Sequence, residues 1–236
     1  MINGSDIISL DCSSTVLDTI FFMKRNNVRR IVVTCESKLY GIFTVDEALR
    51  EILERSVEER LRDVKLKKII TVRSNDPFEI SRSMITGSVD SVIHYGKIIT
   101  EKDVVRDYQW NNEEKIYSLG VKALTIEGFT RVSTAAEIMV RNSIRHLPVV
   151  DDEPVGMLSS RDIVYRFSDK LNLQEEAKQV MIPFIVKGDK EMTLREGVDL
   201  MLKRGVGSLV VPDKEGLYII TFKDLIKHIY MYSMKI

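Results

Sequence analysis

Four stretches of the chain carry a hydroxyl residue followed three positions later by an acid, each a few residues after a glycine. They are Gly41-Ile-Phe-Thr44-Val-Asp-Glu47, Gly96-Lys-Ile-Ile-Thr100-Glu-Lys-Asp103, Gly156-Met-Leu-Ser159-Ser-Arg-Asp162 and Gly216-Leu-Tyr-Ile-Ile-Thr221-Phe-Lys-Asp224. The hydroxyl residues recur at intervals of 56, 59 and 62 positions. Where such a residue opens a helix, the free backbone amides and the helix dipole favour an anion. The acid one turn in is suited to accept charge-assisted hydrogen bonds from hydroxyl donors. An anion beside a carboxylate also needs a cation. Arg29 and Arg30 precede Thr44, Arg145 and His146 precede Ser159, and Arg161 lies inside the third copy. The planar fork of Arg suits phosphate. Asp90-Ser91 and Gly207-Ser208 occupy the matching places of the second and fourth copies. The third copy, with hydroxyl, acid and base together, ranks first as a binding cleft. Glu47 gives the first copy an extra methylene that shifts its carboxylate or fills its pocket. The second and fourth copies bind weakly, borrow bases from a partner, or stay empty. The same spacing also serves as plain helix capping.

These motifs need elements to position them. Thr15-Val-Leu-Asp18, Asp76-Pro-Phe-Glu79, Thr134-Ala-Ala-Glu137 and Thr193-Leu-Arg-Glu196 read as helix starts, 24 to 29 positions before the hydroxyl residues. In each, a capping side chain meets the amide three residues on, and the acid there reaches back. Apolar stretches such as Ile31-Val-Val33, Leu147-Pro-Val-Val150 and Ser208-Leu-Val-Val211 read as strands. The unit is therefore β-α-β-β-α, and one unit of about 60 residues buries too little surface to stand alone. Residues 51–68, rich in charge, are expected to extend a helix, and the polar stretch 108–122 to mark a module boundary.

Lys plus Arg and Asp plus Glu both number 35, so no global charge argues for nucleic acid or a membrane surface. No run of about 18 apolar residues is present, and the first residues, MINGSDIISLD, do not read as a secretory signal. Cys12 and Cys35 read as inert thiols rather than a disulfide framework, which makes a reduced cytoplasm the default.

Together these residues resemble the CBS domain, named after cystathionine β-synthase, over nearly the whole chain. Ser143-Ile-Arg-His-Leu-Pro-Val-Val150 followed by Gly156-Met-Leu-Ser-Ser-Arg-Asp162 is nearest the family pattern. The resemblance implies an α/β (α+β) fold of four β-α-β-β-α repeats paired into two pseudo-twofold modules. These would be residues 1–115, with motifs at about 1–57 and 64–110, and residues 116–236, with motifs at about 119–170 and 176–236. It implies clefts for an adenine nucleotide, AMP, ADP or ATP, with S-adenosylmethionine ranked lower and no cofactor required. By the same resemblance Asp162, Asp103, Asp224 and Glu47 take ribose hydroxyls. Ser159, Arg145, His146, Arg161, Thr44, Arg29, Arg30, Thr100 and Thr221 take phosphate, and Thr125, Ile126 and Pro148 line the adenine pocket. The implied role is a non-catalytic, cytoplasmic, homodimeric sensor that signals to an effector protein, without nucleic acid or membrane. The alternative is a ligand-free scaffold for oligomerisation or protein contacts.

Overall fold

A computed structural model describes residues 2–233. The chain opens with β1 (Ser5–Asp6). The first repeat follows with β2 (Ser9–Asp11), α1 (Val16–Arg25), β3 (Arg30–Cys35), β4 (Lys38–Thr44) and α2 (Val45–Glu54). The second has α3 (Pro77–Gly87), β5 (Ser91–His94), β6 (Lys97–Thr100) and α4 (Glu101–Asp107). A 3₁₀ turn at Ile116–Leu119 and β7 (Val121–Lys122) lead to the third, with α5 (Val132–Asn142), β8 (His146–Asp151), β9 (Glu153–Ser159) and α6 (Ser160–Lys170). A short α7 (Ala177–Val180) precedes the fourth, with α8 (Leu194–Arg204), β10 (Ser208–Asp213), β11 (Gly216–Thr221) and α9 (Phe222–Ser233).

Three of the four expected capping side chains engage, and the acid's return contact to the cap backbone completes the box only at α8, where Thr193 N donates to Glu196 Oε2 (2.8 Å). The Asp18, Glu79 and Glu196 amides donate to Thr15 Oγ1 (3.1 Å), Asp76 Oδ2 (3.0 Å) and Thr193 Oγ1 (3.2 Å). The third does not: α5 starts two residues before Thr134, behind Arg131, with no side-chain cap. Its first amides are satisfied by another backbone segment, Val132 N donating to Glu175 O (2.9 Å) and Ser133 N to Leu173 O (3.2 Å). α1 has the same kind of backbone partner, Val16 N on Glu59 O (2.9 Å), in addition to its Thr15 cap; at α5 the backbone partner serves alone, with Arg131 at the capping position.

Each repeat folds its two longer strands into an antiparallel hairpin, β3–β4, β5–β6, β8–β9 and β10–β11. The segment before the first helix joins the hairpin's first strand in parallel: β2 beside β3, Thr71 beside Ile93, Ile126 beside Val149 and Lys187 beside Val210.

The described chain divides into two compact units, and each combines alternate repeats. One, here the odd unit, holds Ile8–Ile69 and Leu124–Ile185. The even unit holds Met1–Ile7, Ile70–Ala123 and Val186–Ile236. These units cut across the division expected between residues 115 and 116, which falls inside the even unit. The reason is visible in the helix faces. α1 and α2 pack against α5 and α6, burying Ile20, Met23, Leu49, Ala135, Ile163 and Val164 in one core. α3 and α4 pack against α9, and Ile116 from the expected boundary joins that second core with Ile80, Val104 and Leu225. Removing such surface from water is the main force holding each unit together.

Two further expectations are corrected. Residues 55–68 do not extend α2: Arg55 adopts a left-handed conformation at φ 60°, and the chain turns back. Leu61, fully buried, donates its amide to Ser14 O (2.9 Å), and Ile42 and Lys67 exchange both backbone hydrogen bonds. Cys12 and Cys35 form a disulfide, not two thiols. Parallel pairing of β2 with β3, continued by Cys12 N donating to Thr34 O (2.8 Å), brings their Cα atoms to 5.3 Å. That pairing lies between residues 23 apart, which sequence inspection did not anticipate. It also bears on the expected reduced cytoplasm, because such bonds persist in oxidising compartments and in intracellular proteins of hyperthermophiles.

Candidate anion-binding site

In all four repeats the first amide of the second helix donates to the carbonyl of the residue just before, or at the start of, the hairpin. Val45 N meets Arg29 O (3.1 Å), Glu101 N meets Asp90 O (3.2 Å), Ser160 N meets Arg145 O (3.0 Å) and Phe222 N meets Gly207 O (3.3 Å). This fixes Arg29, Asp90, Arg145 and Gly207 at matching places beside the hydroxyl-acid motifs.

The motifs themselves are closed capping pairs. Asp162 Oδ2 accepts from Ser159 Oγ (2.5 Å) and Ser159 N (3.0 Å), while Ser159 Oγ accepts from Asp162 N (3.3 Å). Thr100 donates in the same way to Asp103 Oδ2 (2.7 Å) and Thr221 to Asp224 Oδ2 (2.6 Å). Each hydroxyl proton is therefore already committed to its own helix. The other oxygen of Asp162 lies 3.7 Å from Arg161 Nη2, and that of Asp103 lies 3.2 Å from Arg106 Nη1. Glu47 is buried at 2% exposure, with Oε2 accepting from Thr44 Oγ1 (2.5 Å) and Oε1 3.7 Å from Lys67 Nζ. Burial raises the Glu47 pKa, against the opposing pull of Thr44 and Lys67.

The bases are exchanged between the two repeats of the odd unit. Arg145, read from the sequence as serving Ser159, instead grips Asp46 of the first repeat. Its Nε lies 3.0 Å from Oδ1 and 2.9 Å from Oδ2, and its Nη2 lies 2.6 Å from Oδ2. Arg29, read as serving Thr44, lies within electrostatic reach of Arg161, Asp162 and Tyr165 of the third repeat. Tyr165 supports this crossing by donating its hydroxyl to Val28 O (2.8 Å). Arg29 keeps an exposed surface, yet the protein packed around it lowers its pKa to about 10, with repulsion from Arg161 and Arg30 adding to the effect. His146, half-buried among Arg29, Arg145 and Arg161, is lowered to about 3, first by burial and then by those three cations. At neutral pH it is an uncharged imidazole.

Of the residues assigned to adenine, Ile126 and Pro148 are buried and Thr125 is exposed. They are neighbours, since Ile126 N donates to Pro148 O (3.1 Å). Asp162 and Tyr165 also line an open groove of about 240 Å³, whose mouth carries a Lys24–Asp169 ion pair. In the even unit, buried Asp90, with Ser91, stands where the odd unit has arginine, and Arg106 is held by Asp103 and Asp107. Among the described residues no group of three or more His, Cys, Asp or Glu side chains is placed to hold a metal ion. No described helix is long and apolar enough to cross a membrane. The sequence reading missed Asp46 and Tyr165. A signal for Asp46 was available: the second position after the hydroxyl is Lys102, Arg161 or Lys223 in three repeats and acidic in the first.

Comparison with known proteins agrees with this architecture. The CBS domain model matches residues 2–54, 121–169 and 177–231, well over half of the chain. The second repeat lies outside those matches but carries the same elements in the same order. A crystal structure of a Methanocaldococcus jannaschii protein superposes with a TM-score of 0.81 at 21% identity, covering 96% of this chain and 97% of that one. A Pyrococcus horikoshii protein superposes at 0.63 and 21% identity, covering 95% and 96%. Inosine-5'-monophosphate dehydrogenase of Aquifex aeolicus is 30% identical over 112 residues, 45% of this chain and 22% of that enzyme. Four curated relatives are matched over between 22% and 53% of their own length. The family match, the four repeated hairpin-helix units and the conserved order of elements along the chain have one reading: the chain belongs to the CBS-domain family.

Proposed function

We propose that this protein is a non-catalytic regulatory sensor that binds an adenine nucleotide, AMP, ADP or ATP, in its odd unit. The observation that carries the reading is the Tyr165 hydroxyl bond to Val28 O (2.8 Å), which sets the residue before Arg29 against α6, where Arg161 lies 3.7 Å from Asp162. Two cations within electrostatic reach of each other repel, and a phosphate bound near them relieves that repulsion. Asp162 retains acceptor capacity on Oδ1, so a ribose hydroxyl has a charged partner next to that phosphate. Ile126 and Pro148 supply apolar surface within the same unit. His146 contributes a neutral hydrogen-bonding group rather than a charge.

The second reading, a scaffold, is favoured for the other motifs by their own geometry. Glu47 is buried and paired with Lys67, and Asp103 has one oxygen on its cap and the other beside Arg106. In those repeats the motif does the work of a helix cap.

A sensor must bind its ligand more tightly in one conformation than another, and pass that difference to an effector protein or a second copy of itself. Calorimetry and thermal shift with AMP, ADP and ATP test the reading. Saturating nucleotide is expected to stabilise the protein by roughly 2.7 kcal/mol at a hundredfold excess over Kd. Absence of heat and of any shift with all three nucleotides refutes it and leaves the scaffold.

A further inference from the structure

The odd unit is asymmetric at one pair of matching positions. Arg29 and Arg145 match, because each accepts at its carbonyl from the first amide of its own second helix. Asp46 and Arg161 match, because each lies two residues after its capping hydroxyl. The structure joins one of each across the two repeats. Arg145 meets Asp46 with two guanidinium nitrogens on one carboxylate, at 2.6 to 3.0 Å. Arg29 lies within electrostatic reach of Arg161. One half of the unit is therefore closed by a two-point carboxylate contact, while in its counterpart Arg161 stands 3.7 Å from the nearest carboxylate oxygen, that of Asp162. A planar two-point contact of this kind is also how a guanidinium takes phosphate. The pair is only partly shielded, with Arg145 and Asp46 side chains 31% and 24% exposed, so solvent ligands have access to it.

We propose that Asp46 is an internal anion that occupies the Arg145 fork in place of a ligand phosphate, so that the odd unit accepts one phosphorylated ligand, at Arg29 and Arg161, rather than two. This rests on the phosphate-site reading above for the open half, while the closed half can be tested by itself. The ligand class for both halves is a phosphate or diphosphate group. Asp46 acts as a specificity residue by excluding that group from Arg145. Reversing the charge at either matching position converts one half into the other.

Wild type, Asp46→Asn, Asp46→Arg and Arg161→Asp are compared by circular dichroism for folding and by calorimetric titration with inorganic pyrophosphate and with AMP. Asp46→Asn keeps the size of the side chain, and is expected to take up one more equivalent of pyrophosphate per chain than wild type, at about tenfold or greater gain in affinity at that fork. Asp46→Arg reproduces the Arg29–Arg161 arrangement and is expected to gain the same equivalent. Arg161→Asp is expected to lose an equivalent that wild type binds. Unchanged stoichiometry and affinity in folded Asp46→Asn overturns the proposal, and that variant carries the test where Asp46→Arg fails to fold. If wild type ignores AMP while Asp46→Asn gains pyrophosphate, the nucleotide reading falls and the internal anion stands. If wild type binds AMP and the Asp46 variants gain nothing, the reverse holds.

Discussion

Asp162 has two tasks, and they separate by oxygen atom. Oδ2 belongs to the cap made with Ser159, while Oδ1 lies 3.7 Å from Arg161 Nη2. Asp162→Ala is expected to lower nucleotide affinity by roughly 10- to 150-fold, the worth of one charged hydrogen-bond acceptor. It also removes a cap, so Thr100 and Asp103 provide the control: Asp103→Ala is expected to destabilise by about 1 kcal/mol without changing nucleotide affinity. Equal losses of affinity in both variants would mean that the motif acts only on folding. His146 gives a pH signature. Its folded pKa, about 3, lies below the ordinary value of 6.5. As pH falls below 6.5 the unfolded chain binds a proton that the folded chain refuses. Stability is therefore lost as pH drops from about 6.5 towards 3, by at most about 1.4 kcal/mol per pH unit. Denaturant titrations between pH 4 and 7 should show a shallower slope for His146→Gln than for wild type; parallel slopes would contradict a lowered pKa at this half-buried imidazole. At this scale the sequence displayed the hydroxyls, acids and arginines. It hid which arginine meets which acid, because Arg145 and Asp46 are 99 residues apart and meet only through helix packing.

The strands and helices were legible from caps and alternating apolar runs, and the exceptions share a cause. Thr134 looks like a cap, but the 173–175 backbone reaches the helix first. The glycines before the hydroxyl residues look equivalent, yet they are of two kinds. Gly96 sits in a hairpin turn at φ 76° and Gly216 opens β11 at φ 127°, both conformations that favour glycine. Gly156 lies within β9, where an added Cβ would sit 2.4 Å from Met181 Sδ and 2.7 Å from Ile182 O. Gly156→Ala is therefore expected to cost about 1–3 kcal/mol, and a folded variant with unchanged thermal midpoint would show that the 181–182 segment yields freely. The Cys12–Cys35 crosslink should stabilise the odd unit by about 3 kcal/mol, from the loop it closes. Equal denaturant midpoints with and without reductant would remove that contribution.

Fold class and repeat number were readable because one pattern recurs at nearly even spacing. The partnership of alternate repeats was not, because nothing in a helix's own periodicity says which other helix covers its apolar face. This has a direct test. Residues 1–115 and 116–236, expressed separately, each carry half of both cores. Each is expected to self-associate or to lack a cooperative melt, and a monomeric half with a sharp transition would contradict the interleaving. The same feature dictates a timetable during synthesis, when chains grow at about 5–20 residues per second. α1 and α2 leave the ribosome long before α5 and α6, and their apolar faces must wait without a mate. Closure then follows the alternation: the odd unit can complete once α5 to α7 have emerged, while the even unit, which already holds β1, is sealed last, when α9 arrives. A nascent chain of this design spends much of its elongation half-finished, which makes the interval before α5 emerges its point of greatest exposure to misassociation.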